Sequence, residues 1–461
     1  MAPIAAHANS GEAQAKHADV IIVGAGAAGI EAARLLSAAG ISVVILEASS
    51  VIGGRMKPGR LAEETIDLGA QWVGPGQNRF YARAQALGVE TKAQSTLGEN
   101  IAFLSDRSFH NVGGETMSSE DLAEFYSVIE RFTQLAGRID PANPWHTDDA
   151  AQLDNESVAR WMDQWIKSTI THALITSIIR IVCCVEPSQI SMLGWARYMA
   201  AAGGFLPLID TEGGAQQDTF IGGAYQVIER NSRSIEHNII LNTPVSKITQ
   251  NSAGVVIETT TETWTAKRVI VTAPPSIAAR IAYDPPLPAA RDTLGQRMPM
   301  GSVIKCLIAF DRPFWRDMGF SGQVTTDGDF VGFFEKSLTK SSHGALVGFF
   351  AGVRADYWAK QSPTDRRQHI IKTVGAAFET NPPDPIDYVD YVWKNNPWIR
   401  GGYTGIPMPD TLAAVGDMLA QPIGNIHWAG TETSSEWTGY VEGALASAER
   451  AVSEVLASLN H

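Results

Sequence analysis

The chain has 461 residues, 44% hydrophobic and 18% charged. That is length for two or three domains and too apolar for a disordered chain. Lys and Arg number 36 against 49 Asp and Glu, a formal net charge of −13, which disfavours nucleic acid and anionic membrane surfaces because phosphate affinity rests on cations. The three cysteines, with no C-x-x-C and no histidine pair at zinc spacing, exclude a disulfide scaffold and offer no metal site. Buried thiols in a reducing compartment are expected.

No run of about 18 apolar residues predicts a spanning helix. Met1 to Ala18 is Ala-rich but broken by polar residues, without a signal peptide's apolar core or a transit peptide's arginines. It reads as a loose leader. The C-terminus is not the peroxisomal tripeptide, so a cytoplasmic location is expected.

Order is predicted to begin at Asp19, in the apolar run to Val23. Such a run reads as a buried parallel strand. Ala27 to Ala39 reads as a close-packing helix and Ser42 to Glu47 as a second buried strand, which together make a βαβ unit. Gly24, Gly26 and Gly29 fit G-x-G-x-x-G at its first turn. In that motif the first glycine makes the tight turn, the second lets backbone approach a pyrophosphate, and the third lets the helix approach the strand. Helix N-terminal amides then favour the phosphates. Glu47, at the second strand's end, would accept ribose hydroxyls and repel a 2′-phosphate, which disfavours NADP. The motif leaves open whether the dinucleotide is nicotinamide or flavin.

Further along, Asp121 to Leu135, Ser157 to Ile166 and Ile170 to Val182 carry helical spacing. From 239 to 273 the pattern turns to short strands, read at Asn238–Leu241, Val245–Ile248, Val255–Thr259 and Val269–Thr272. Ser302 to Phe310 is another apolar strand, with Lys305 as its only charge. Lysine is seldom buried without a partner, and burial lowers its pKa, so Lys305 is a candidate functional group. The alternative is an edge strand with Lys305 facing water. Tyr388 to Trp393 reads as a strand and Gly439 to Leu459 as an amphipathic helix. The fold class predicted is mixed α/β, with a second domain inserted into a dinucleotide-binding one.

Three motifs are more specific than the glycine turn. They are Gly69 to Arg79, Met300 to Cys306 with Pro313 to Arg316, and Trp437 to Ala444. With Gly53-Gly54-Arg55 and Ile426 to Glu432, they make the chain, over about residues 19 to 457, resemble the flavin-containing amine oxidase family. Within it the likeness is to soluble bacterial or fungal members of the monoamine oxidase branch. The resemblance implies a Rossmann-like FAD-binding domain from residues 19–90, 222–298 and 395–461, interleaved with a substrate domain from 91–221 and 299–394. It implies FAD contacts at Gly24, Gly26, Gly29, Glu47, Gly54, Arg55, Val245, Trp393, Gly430, Glu432, Tyr440 and Val441. It also implies a water-holding role for Lys305 near the flavin, and a pair of rings, Tyr403 and Tyr440, flanking the substrate amine. The helix beginning near Tyr440 would point its N-terminus at the flavin. Gly402 stands where some members carry the cysteine that links flavin covalently, so FAD is expected to be held non-covalently.

Trp72 occupies the place of the arginine with which amino-acid oxidases grip a carboxylate. The His-Gly pair of polyamine oxidases is also missing after it. Trp72, Phe205, Ile209 and Gln216, with the two tyrosines, are the expected substrate contacts, whereas Leu193 and Trp195 read as ordinary core. The implied activity is oxidation of a primary amine by O2 to aldehyde, ammonia and hydrogen peroxide. Secondary-amine oxidation, a dehydrogenase with another acceptor and a non-catalytic flavoprotein are the alternatives. A homodimer is a guess from symmetry.

Overall fold

The computed structural model describes residues 15–110, 117–336, 338 and 342–459. Its first layer is a five-stranded parallel sheet in the order Ile239–Ile240, Val43–Leu46, Val20–Val23, Arg268–Val271, Ile426–Trp428. All four residues of Val20–Val23 are buried, which is why that strand is apolar throughout instead of alternating. Helix Ala27–Ala38 and the last helix, Val441–Leu459, share one hydrophobic cluster with the sheet. Both helices bury small residues in that cluster, Ala28 and Ala32 on one and Ala444 and Ala448 on the other.

A second five-stranded sheet covers the other face through Ile248, Ile257 and Trp264. Its edge corrects the leader expectation. Residues 1–14 lie outside those described, but Lys16–His17 pair in parallel with Trp264 and Thr265, and Ala18 is fully buried. The edge of Thr263–Ala266 had unpaired backbone groups to offer, and Lys16 adds an ion pair with Glu262. The ordered chain therefore starts before Asp19.

The remaining large sheet has seven strands, in the order Asp387–Val392, Val303–Phe310, Gly344–Ala351, Phe330–Glu335, Phe320–Thr326, Glu99–Leu104, Arg107–His110. Val303–Phe310 has neighbours on both sides, so Lys305 is not on an edge. Helices Ser119–Gly137, Val158–Trp165 and Thr169–Cys183 are those expected from their spacing, and Met192–Ala201 joins them in one helical group. Each starts at a serine, Ser118, Ser157, Ser168 or Ser191, whose hydroxyl accepts a backbone N–H three residues on. Such caps stabilise a helix by about 1 kcal/mol. All three cysteines are buried and unpaired. Among the described residues no helix is long and apolar enough to cross a membrane.

Candidate active site

A cavity of about 620 Å³ runs from the glycine turn to the face of the seven-stranded sheet. At the first end, Gly24 takes φ +106°, a conformation that favours glycine. A Cβ on Gly29 would lie 1.9 Å from the Gly24 carbonyl oxygen, so only glycine lets the helix sit this close to the strand. Gly26 and Gly54 face each other on the wall, where a Cβ on Gly54 would lie 3.3 Å from the Gly26 Cα. Helix Ala27–Ala38 opens there with no side-chain cap and no acid in its first turn. Its first amides thus lack partners within the helix and suit an anion. Glu47 is on the wall, 9% exposed, and accepts from the amides of Ala25 at 2.6 Å and Ser49 at 2.7 Å. Burial pushes its carboxyl pKa up, against those two hydrogen bonds. Val245, Gly430 and Val441 complete this part of the wall, and helix Val441–Leu459 begins at it.

Arg55 joins this end to the other. Its guanidinium donates to the Tyr403 carbonyl at 2.9 Å and forks onto Glu432 at 2.7 and 3.1 Å. Glu432 is 1% exposed and also accepts from Thr404 Oγ1 and the Gly405 amide. Burial would raise its pKa, but Arg55 and these bonds hold it below the usual value. Glu432 and Gly29 stand behind the wall and not on it. They act through Arg55 and through helix placement.

At the second end, Lys305 is 3% exposed. Its Nζ donates to the Gly69 carbonyl at 2.8 Å and to Gln71 Oε1, with the Trp72 ring 5.9 Å away. Burial lowers its pKa to about 7, Asp67 opposes that shift, and Lys336 adds to it. Tyr403 and Tyr440 are both on the wall. Tyr403 stands edge-on to Phe349 at 5.9 Å, and Tyr440 edge-on to Trp437 at 5.0 Å. Burial raises both phenol pKa values, so both rings are neutral. Gly402 lines the cavity beside Tyr403, and Trp393 does so while donating to the Leu68 carbonyl at 3.1 Å. Trp72 is held by its Nε1, which donates to Gln94 Oε1 at 3.1 Å.

Two expected substrate contacts are corrected. Phe205 is 1% exposed and packs on Phe132 and Trp195 in the helical core, and Ile209 packs on the same core. Neither reaches the cavity, because the short helix Leu206–Ile209 turns its apolar side to the helical group. Gln216, past that helix, does reach it. Leu193 and Trp195 are core. Sequence reasoning missed Gln71, Tyr198, Ile181, Phe334 and Phe349, all on the wall. Gln71 lay inside a quoted motif, whereas the apolar and aromatic residues looked like any core residue.

The residues fit a bound dinucleotide with a flavin ring at the Lys305 end. The glycine cradle leaves room that a Cβ would fill, and three wall residues have orphaned buried atoms. Among the described residues Gln71 Nε2, Gln77 Nε2 and Gln216 Oε1 lack partners.

The profile of the family described as "Flavin containing amine oxidoreductase" matches residues 27–456. A "Probable flavin-containing monoamine oxidase A" of Dictyostelium discoideum is 34% identical over 95% of this chain and 97% of its own. An "L-amino acid dehydrogenase" of Synechocystis sp. is 32% identical over 96% of this chain and 95% of its own. The solved structure of a cyclohexylamine oxidase from Brevibacterium oxydans superposes with a TM-score of 0.92, at 29% identity, over 96% of this chain and all of the other. A flavin ring is the natural occupant of a cavity that joins a dinucleotide turn to an aromatic, lysine-bearing end, and the chain belongs to the flavin-containing amine oxidoreductase family, as an enzyme of the amine oxidase type.

Proposed function

We propose that the protein oxidises a primary amine, R–CH2–NH2, with non-covalent FAD and O2, giving aldehyde, ammonia and hydrogen peroxide. The overall balance is amine plus O2 plus water. The observation that carries this reading is one cavity with a dinucleotide cradle at one end and Lys305, Tyr403 and Tyr440 at the other. The division at 19–90, 222–298 and 395–461 assigns the cradle to the flavin. The insertion 299–394 then supplies Lys305, Phe334 and Phe349 to the amine end, while Trp72, Tyr403 and Tyr440 reach it from the flavin segments. Gly402 offers no thiol for a covalent link.

The chemistry FAD supplies when bound is acceptance of two electrons from the amine carbon and their transfer to O2. The protein's part is orientation and protonation state. Two neutral rings hold an amine by shape and ring-quadrupole attraction without a counter-ion. Trp72, Phe334 and Phe349 exclude water around the substituent R. Lys305, with two of its hydrogen-bond directions taken by Gly69 and Gln71, is held to position a water or carry a proton near neutral pH. Among the described residues Glu47 is the only carboxylate on the wall, and it stands at the cradle end, so none of them offers a second ammonium a partner beside the cage.

The relative named as a dehydrogenase favours one second reading, an acceptor other than O2. Anaerobic titration of the purified protein with n-pentylamine tests the proposal. Bleaching of the visible flavin band, followed in air by one peroxide per amine, is the expected result. Bleaching without peroxide selects the dehydrogenase, and a flavin that stays oxidised removes the primary-amine reading.

A further inference from the structure

Helix Met192–Ala201 packs among apolar residues, with Met192, Leu193, Trp195, Ala196 and Met199 fully buried, yet it carries Arg197 at 6% exposure. Arginine is almost never buried without partners. Burial lowers its pKa to about 10, against the attraction of Glu432, so it stays charged at neutral pH. Arg197 stands behind the cavity wall. Its guanidinium donates to the Pro141 carbonyl at 3.2 Å and to the Ser434 carbonyl at 2.7 Å. It reaches the Glu432 carbonyl and Thr438 Oγ1 more loosely, both at 3.4 Å.

Glu432, Ser434 and Thr438 lie on the segment that leads into Tyr440. Beyond the short turn Thr431–Thr433 its backbone is irregular, with Trp437 at φ +45° and Gly439 at φ +90°. No helix or sheet ladder satisfies its carbonyls, so they need donors from side chains. The same helix meets the segment again. The Ala201 carbonyl accepts from the Trp437 amide at 2.7 Å. The Tyr198 ring stands 6.3 Å from the Tyr440 ring, and a Cβ on Gly439 would lie 2.5 Å from Tyr198 Oη. Trp437 in turn lies edge-on to Tyr440 and accepts its amide at 3.0 Å.

We infer that Arg197 is a positioning residue for the Tyr440 ring. From behind the wall it fixes the 432–438 segment against helix Met192–Ala201, and so sets the face that Tyr440 turns to the amine. The inference rests on the reading of Tyr440 as one side of the amine cage. A planar fork of donors can hold carbonyls on two sides at fixed angles, which the single ammonium of a lysine cannot match. An aliphatic side chain would fill the same space and hold none of these oxygens.

The test is a double-mutant cycle on the purified holoenzyme, read as the second-order rate constant of anaerobic flavin reduction by n-pentylamine. A misplacement of about 1 Å can cost about a hundredfold in rate, so Arg197→Met should lower that constant by about tenfold or more. On the Tyr440→Leu background no ring is left to aim, and the same change should cost less than about threefold. An equal loss on both backgrounds is what a merely structural role gives, and it would overturn the inference. Binding of tert-butylamine, which has no α-hydrogen and cannot be oxidised, supplies a readout without turnover. Calorimetry should show it severalfold weaker in Arg197→Met than in the parent, and unchanged by Arg197→Met in Tyr440→Leu. Equal affinity in parent and Arg197→Met would also overturn the inference. Arg197→Lys keeps the charge and part of the bonding, and should show the same pattern at smaller amplitude. Should Arg197→Met fail to fold, equal losses for Arg197→Lys on the two backgrounds overturn the inference alone. If Tyr440→Leu reduces flavin at the parent rate, the cage reading falls. If Tyr440→Leu is impaired and Arg197→Met matches the parent, the assignment of Arg197 falls and the cage stands.

Discussion

Lys305 shows how a single position acquires its chemistry. The register sets it opposite Phe349 on one side and Tyr391 on the other, in the interior of a seven-stranded sheet. Water is excluded, and burial brings the ammonium pKa down to about 7 despite Asp67. The unfolded lysine keeps its proton to about pH 10.4. Between those values the unfolded chain binds more protons, so the lysine makes stability rise with pH. In Lys305→Met that slope should flatten between about pH 7 and 10, seen in thermal melts of the holoenzyme across that range. Turnover should fall at least tenfold while flavin stays bound. An unchanged slope would mean that the folded lysine keeps its charge. The residue pattern showed that this strand was buried. It did not show that Gly69 and Gln71 would be the lysine's partners, because they arrive from more than 230 residues away in sequence.

At the scale of elements, the strand–turn–helix at Gly24 was legible because its requirements are local. A buried strand must be apolar, the turn needs a positive φ, and the helix must carry no Cβ where it meets the turn. Gly29→Val should push the helix off the Gly24 carbonyl and leave the purified protein with little flavin, measured as visible absorbance against protein. Full flavin content would show that the helix can move aside at small cost. The serine-capped helices were legible for the same local reason. Phe205 and Ile209 were not placed correctly, because an apolar residue at helical spacing reads the same whether its helix face meets a core or a cavity. Which face it is depends on the turn after Gly203 and on what packs above it.

Across the whole molecule, Arg55 and Glu432 close the cavity by joining segments 377 residues apart. Arg55 also holds the Tyr403 carbonyl, so the ion pair couples stability to the placement of the Tyr403 ring. Arg55→Met leaves Glu432 buried without its cation, which should cost about 3–5 kcal/mol. Glu432→Gln, which keeps an acceptor for the Thr404 hydroxyl and the Gly405 amide, should cost less. Urea unfolding of both variants checks the order. A loss under about 1 kcal/mol in Arg55→Met would mean that water reaches the carboxylate.

The amino-acid sequence by itself determined the dinucleotide turn, the buried strands, the helical group and the family. These rest on neighbours within a few residues or on whole motifs. Only the tertiary structure decided that Lys16–His17 complete a sheet edge, that Glu432 works from behind the wall, and that Gln71, Tyr198 and Phe349 face the cavity. It alone set Gln94 against Trp72 and brought Arg197 to the segment before Tyr440. The physical reason is that burial and periodicity act along the chain, whereas strand register and layer packing choose which buried faces meet.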